Sequence, residues 1–176
     1  KIFDAVKFAS FLNNCFSEAP DLKICRDNAV AELRRIRDAG MDEIASSFLQ
    51  DPLAAEKAIR SYTWLTDCLV KSVWNISKIW LHPVPNPTQA EKLSLIAVGG
   101  YGRKEMAPYS DVDLLFLTPY KITPWAESVI ETILYILWDL KLKIGHSSRT
   151  INDCLRLGKE DYTIRTALLE QRLVDG

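Results

Sequence analysis

The chain has 176 residues, room for one sizeable domain or for one small domain with a helical extension. Hydrophobic residues make up 48% of it, which supports a packed core and excludes wholesale disorder. Its 22 basic and 23 acidic residues leave a formal net charge of -1, so nothing draws the whole chain to nucleic acid or acidic membranes, and any basic site is local.

Residues Lys1 to Pro20 show little periodicity, and Phe3, Phe8, Phe11 and Phe16 are expected to dock a short helix onto a neighbour. Asp21 or Asp27 suits the cap of a helix through Asn28 to Asp38, with Gly40 as its C-terminal stop. Arg34, Arg35 and Arg37 on that helix read as a solvated face rather than a phosphate patch, because Glu32 and Asp38 interleave with them. From Asp51-Pro52 onward, Ala55, Ile59, Tyr62, Leu65, Leu69, Val73, Ile76 and Trp80 recur in steps of three and four. They predict an amphipathic helix of about seven or eight turns, with Pro52 in its first turn. Trp64 and Trp74 lie partly off that stripe and call for more than one packing neighbour. The three prolines of His82-Pro-Val-Pro-Asn-Pro87 end the helix and leave His82 exposed. They divide a helical region, residues 1–82, from a linker over 83–92 and a second region over 93–176.

In the second region Leu93 to Val98 reads as a buried strand and Asp111 to Leu117 as another. Thr123-Pro124 opens a helix to about Leu140, with Ile130, Ile133, Leu134, Leu137 and Trp138 on one face. Leu142 to Ser147 is a third strand, and Ile151 to Leu157 and Tyr162 to Leu173 read as two helices separated at Gly158. Helices first and a mixed set of strands and helices after them make the chain α+β.

Chemistry concentrates between Ile96 and Leu117. A strand's period of two sends Asp111 and Asp113 to the same face, where oxygen ligands suit one or two hard cations shared with substrate phosphates. Their setting sharpens this reading, since Val112 and Leu114 to Leu117 mark a buried strand on which adjacent carboxylates are costly without a counter-charge. Gly99-Gly100, with Gly102, permits the close backbone approach that points amides at phosphate oxygens. Arg103 and Lys104 supply cations for a triphosphate, and Ser110 a hydroxyl. No GxxxxGK[ST] is present and no helix is expected at the glycines, so this is not a P-loop. Against these stand plainer readings, aspartates that cap a strand's start and a tight turn without a ligand.

Four cysteines, Cys15, Cys25, Cys68 and Cys154, lie far apart without a CxxC pair, and two histidines complete no zinc site at a familiar spacing. Reduced thiols in a cytoplasmic protein are the expectation. No apolar run approaches the ~18 residues that cross a bilayer, and no apolar signal core is seen. A start at Lys1 rather than Met and an abrupt stop at Gly176 suggest a piece of something longer.

The run Gly99-Gly-Tyr-Gly-Arg-Lys-Glu-Met-Ala-Pro-Tyr-Ser-Asp-Val-Asp-Leu-Leu-Phe116 resembles the signature of the DNA polymerase beta-like nucleotidyltransferase superfamily. Within it, GGYGR followed by SDVDLL resembles the bacterial PII uridylyltransferase/uridylyl-removing enzymes, as do Leu137 to Thr150 and Thr163 to Leu173. The resemblance covers about Leu93 to Gly176 and implies a small mixed sheet flanked by helices, cut short at its C-terminal end. It also implies transfer of UMP from UTP to a tyrosine hydroxyl of the PII signalling protein, with Mg²⁺ or Mn²⁺ and release of pyrophosphate. On that reading Asp111 and Asp113 hold metal and carry catalysis, Gly99, Gly100 and Arg103 position the β- and γ-phosphates, and Ser110 and Arg149 add contacts. Neither nucleic acid nor membrane is an implied partner.

Many superfamily members place a third carboxylate where this chain has His146, Ser147 and Arg149, and Asp153 and Glu170 are the nearest candidates for that role. Arg149 reads equally as a phosphate contact or as a bridge to Asp111 or Asp113. The family's uridylyl-removing step belongs to an HD-type metal domain, and no His-Asp dipeptide occurs in these residues. Two alternatives stand beside the leading reading, an adenylyl-type nucleotidyltransferase acting on another acceptor and a non-catalytic nucleotide-binding or docking module.

Overall fold

A computed structural model describes residues 3–17 and 21–176. Helix α1 (Ala5–Ser17) buries Phe8, Leu12 and Phe16 along one stripe, and Phe16 stacks on Trp80 with ring centroids 5.2 Å apart. Helix α2 (Leu22–Gln50) starts at the Asp21 cap, whose carboxylate accepts from the Lys23 amide at 2.8 Å. It does not stop at Gly40, which lies buried inside it. One interior glycine costs a helix about 1 kcal/mol, and the renewed burial of Ile44 one turn later outweighs that.

Helix α3 (Ala55–Asn75) begins three residues after Pro52, because Asp51 to Ala54 close a turn first. Its buried stripe includes Tyr62, Leu65, Leu69, Val73 and Trp74, while Trp64 stays largely exposed. A π-helical segment, Ile76–Leu81, continues it, with His82 N–H donating to the Ser77 carbonyl at 2.9 Å. His82 is not simply exposed: its ring Nε2 lies 2.8 Å from Thr132 Oγ1, and its carbonyl accepts from Trp125 Nε1 at 2.9 Å. The proline segment is therefore tied down at its start.

Four strands follow, β1 (Ser94–Ala97), β2 (Val112–Thr118), β3 (Ile144–Thr150) and β4 (Arg172–Asp175). Their order in the sheet is β3-β2-β1-β4, with β1 antiparallel to β2 and β4, and β2 parallel to β3. One helical turn, α4 (Gly99–Gly102), follows β1, and α5 (Pro124–Asp139) makes the crossover from β2 to β3. Thr123 caps α5 and Pro124 opens it, as the Thr-Pro pair predicts.

The last third departs from expectation. Helix α6 (Ile151–Glu160) runs through Gly158, and the break falls at Asp161, whose carboxylate accepts from the amides of Thr163 and Ile164 to start α7 (Tyr162–Leu169). Residues beyond it form β4, where Val174 is buried and Leu173 exposed. Leu168, Leu169 and Leu173 mimic helical spacing, but pairing with β1 decides the outcome.

One sheet face, through Leu95, Ala97, Val112, Leu114 and Phe116, packs under α3 and α5 in a hydrophobic core that runs from Phe3 to Val174. Helices and mixed sheet together make the fold α+β. Among the described residues the cysteines are free thiols, with burial pushing Cys68 up to about 11, and no helix is long and apolar enough to cross a membrane.

Candidate active site

Strand β2 puts Val112, Leu114 and Phe116 into the core, so Asp113 and Leu115 fall on the opposite face. Asp111, one residue ahead of the strand, is exposed, and Asp113 is half-buried. Burial, and then the charge of Asp111, pushes the Asp113 carboxyl above its usual range. Among the described residues neither of these two carboxylates forms a salt bridge.

Two glycines make room for the Asp113 side chain. Gly99 sits at φ +59°, and a Cβ there would stand 3.3 Å from Asp113 Oδ2. Gly145 pairs with Asp113 across β2 and β3, and a Cβ there would overlap Oδ1. The backbone adds a tie, Val98 N–H donating to the Asp113 carbonyl at 3.1 Å.

The glycine stretch is not the open loop expected from sequence but a single helical turn. Gly102 N–H donates to Val98 at 3.1 Å and Arg103 N–H to Gly99 at 3.1 Å. The amides of Gly99, Gly100 and Tyr101 thus precede the first helical hydrogen bond, and Gly99, the first residue of the turn, faces the Asp113 carboxylate. Gly102 is needed for another reason, since a Cβ would overlap the Glu170 carbonyl.

The remaining predicted residues are spread around this centre. Arg103 is half-exposed and paired with Glu105 at 2.8 Å and Glu170 at 2.6 Å, which hold its charge firmly in place. Ser110 donates to the Ala107 carbonyl at 2.8 Å and lines a cavity of about 360 Å³ with Tyr62, Leu69 and Lys143. Arg149 lines a pocket of about 130 Å³ with Val98, Leu115, Ser147 and Thr163 of α7. Among the described residues it makes no salt bridge to either aspartate. A wider cleft of about 470 Å³ between α7 and the turn is lined by Gly99, Thr163, Thr166 and Glu170.

Neither third-carboxylate candidate joins the pair. Asp153 is spent on the α6 capping box, accepting from Thr150 N–H at 3.1 Å and Oγ1 at 2.7 Å, and Glu170 holds Arg103. His146 packs edge-on against Trp138, on the α5 side of β3 rather than with the aspartates. No group of three or more metal-binding side chains exists among the described residues. A two-carboxylate, all-oxygen set whose space is kept clear by two glycines fits a cation that takes its other ligands from phosphate and water, as Mg²⁺ does.

Sequence reasoning missed the role of Gly145, although a glycine opening a strand marks a place of close approach. It also missed Arg172 and Asp67, which pair at 2.9 and 3.1 Å across 105 residues with no local signal.

The family model described as glutamate-ammonia ligase adenylyltransferase matches residues 4–144. A bifunctional uridylyltransferase/uridylyl-removing enzyme of Ruegeria pomeroyi is 54% identical over 175 residues, covering 99% of this chain and 19% of the relative. Enzymes of the same description from Cereibacter sphaeroides and Azospirillum brasilense are 56% and 46% identical, over 89% and 86% of this chain and 17% and 16% of theirs. The chain thus spans under a fifth of the length of the curated relatives it matches. It belongs to the nucleotidyltransferase family described by the glutamate-ammonia ligase adenylyltransferase model, and its relatives there are bifunctional uridylyltransferase/uridylyl-removing enzymes.

Proposed function

We propose that this chain carries the UMP-transferring site of such an enzyme, moving UMP from UTP to a tyrosine hydroxyl of the PII protein with release of pyrophosphate. The observation that carries the reading is the Asp113 carboxylate set between Gly99 and Gly145, beside Asp111 and the amides of a glycine turn. Asp111 and Asp113 are the residues that would hold Mg²⁺ or Mn²⁺, which when bound neutralises triphosphate charge and lowers the pKa of the acceptor tyrosine from its usual ~10. Gly99 and Gly100 let the backbone approach the β- and γ-phosphates, and Arg103 presents its guanidinium from the end of the turn. Ser110 and Arg149 are further proposed contacts, Arg149 from the half-buried pocket on the same sheet face. Holding the phosphates in line with the incoming hydroxyl is the chief contribution of these groups. Residues 93–176 act as the transferring region, and residues 1–82 brace it through α3.

The test is label transfer from UTP or ATP to PII in Mg²⁺, beside an Asp111→Asn/Asp113→Asn variant. Label from UTP that disappears in the variant is the expected result. Transfer that survives the double substitution would sink the site assignment. A second reading, adenylyl transfer, is favoured by the description of the matching family model, and a preference for ATP would select it.

A further inference from the structure

Arg172, at the start of β4, reaches the far end of the glycine turn. Its Nη1 and Nη2 donate to Asp67 Oδ2 and Oδ1 of α3 at 3.1 and 2.9 Å. The same guanidinium donates from Nε to the Gly102 carbonyl at 3.3 Å and from Nη2 to the Tyr101 carbonyl at 3.2 Å. It also lies over the Tyr101 ring, 5.2 Å from the centroid. Tyr101 is 1% exposed, and its hydroxyl has no well-formed hydrogen bond. So aromatic packing and guanidinium contacts hold this residue.

The arrangement has a direction. The Gly102 carbonyl and the Tyr101 carbonyl, which also accepts from Lys104 N–H at 3.2 Å, lie at the C-terminal end of the turn, and the amides of Gly99, Gly100 and Tyr101 are at the other end, where Gly99 faces Asp113. A cation on those carbonyls complements the turn's polarity, and the bidentate fork fixes their orientation as a point charge would not. Arg172 and Asp67 side chains are each 20% exposed, so the pair is shielded from solvent and its partner charge is needed.

We propose that Asp67 and Arg172 are positioning residues for nucleotide binding: through them α3 sets the orientation of the glycine turn whose amides receive the phosphates. The proposal rests on the nucleotidyl-transfer reading for its kinetic consequence but not for its structural one. Neither residue lines the clefts beside Gly99 and Arg149, so each acts through the turn.

The test uses Asp67→Asn, Arg172→Lys and Arg172→Gln in the full chain, with Arg60→Gln as a control that removes an exposed α3 ion pair. Two quantities are measured, hydrogen exchange without nucleotide of the turn's hydrogen-bonded amides, those of Gly102, Arg103, Lys104 and Glu105, and KM for UTP against kcat in transfer to PII. The expected result is faster exchange confined to the turn in all three variants, with KM for UTP raised about 10-fold or more and kcat changed far less. Arg172→Lys should do as badly as Arg172→Gln, because charge without the fork does not orient two carbonyls. Exchange raised equally throughout the chain, or unchanged at the turn, would overturn the proposal, as would full rescue by lysine. If the unsubstituted chain transfers no nucleotide, the functional reading fails, and the exchange data alone decide whether the pair positions the turn.

Discussion

Gly145 lacks a side chain at the point where one would overlap an Asp113 carboxylate oxygen, and its backbone φ is ordinary, so crowding rather than strain makes it necessary. Gly145→Ala should therefore leave thermal unfolding nearly unchanged while transfer activity falls about 100-fold, the scale set by displacing a catalytic group by roughly 1 Å. Asp113 carries a second prediction. Its folded pKa is raised by burial and by Asp111, so its contribution to stability is present below an aspartate's ordinary pKa and lost as pH rises through the folded value. At neutral pH the metal-free protein bears this cost, and Asp113→Asn should raise its melting temperature there, with the gain vanishing in acid. An unchanged or lowered melting temperature at neutral pH would contradict the electrostatic picture. The approach of Gly99 to Asp113 was legible in the sequence because alternation along a strand and a strand-ending glycine are local signals, whereas Asp111 falls one residue ahead of the strand. Arg172 and Asp67 were not legible, because only the paired strands bring them together.

The elements show where local signals decide and where pairing does. Strands β1 and β2, the Asp21 and Thr123 caps and the α5 span follow directly from apolar runs and capping residues. Gly40 and Gly158, which look like stops, lie inside helices, since a single glycine's penalty is small beside the packing around it. Gly158→Ala should then stabilise by about 0.5–1 kcal/mol, as its Cβ would meet Leu168 at an ordinary 3.4 Å. Asp161→Ala, which removes the cap of α7, should cost about 1 kcal/mol. Chemical denaturation of the two variants distinguishes these signs. The sequence predicts helix where β4 forms because its leucines continue the spacing of α7, and its neighbour β1 is too distant in sequence to show in a local window.

Across the whole molecule, helices and sheet share one buried cluster, and polar ties join α2 to the end of α5, Arg26 to Asp139 at 3.0 Å and Arg37 to the Leu140 carbonyl, and α3 to β4, Asp67 to Arg172. Trp74, 2% exposed on α3, sits in that cluster, and Trp74→Ala should cost about 3–5 kcal/mol. Circular dichroism and tryptophan fluorescence should report the same midpoint for the unsubstituted protein, since a shared core unfolds as one unit. The claim that matters most is that residues brought from β1, β2 and β3 form one metal and nucleotide site. Titration of Mn²⁺ in the presence of UTP, followed by electron paramagnetic resonance, tests it most directly. The account predicts saturable Mn²⁺ binding that is lost in Asp113→Asn and weakened in Gly145→Ala; binding undiminished by either substitution would contradict it.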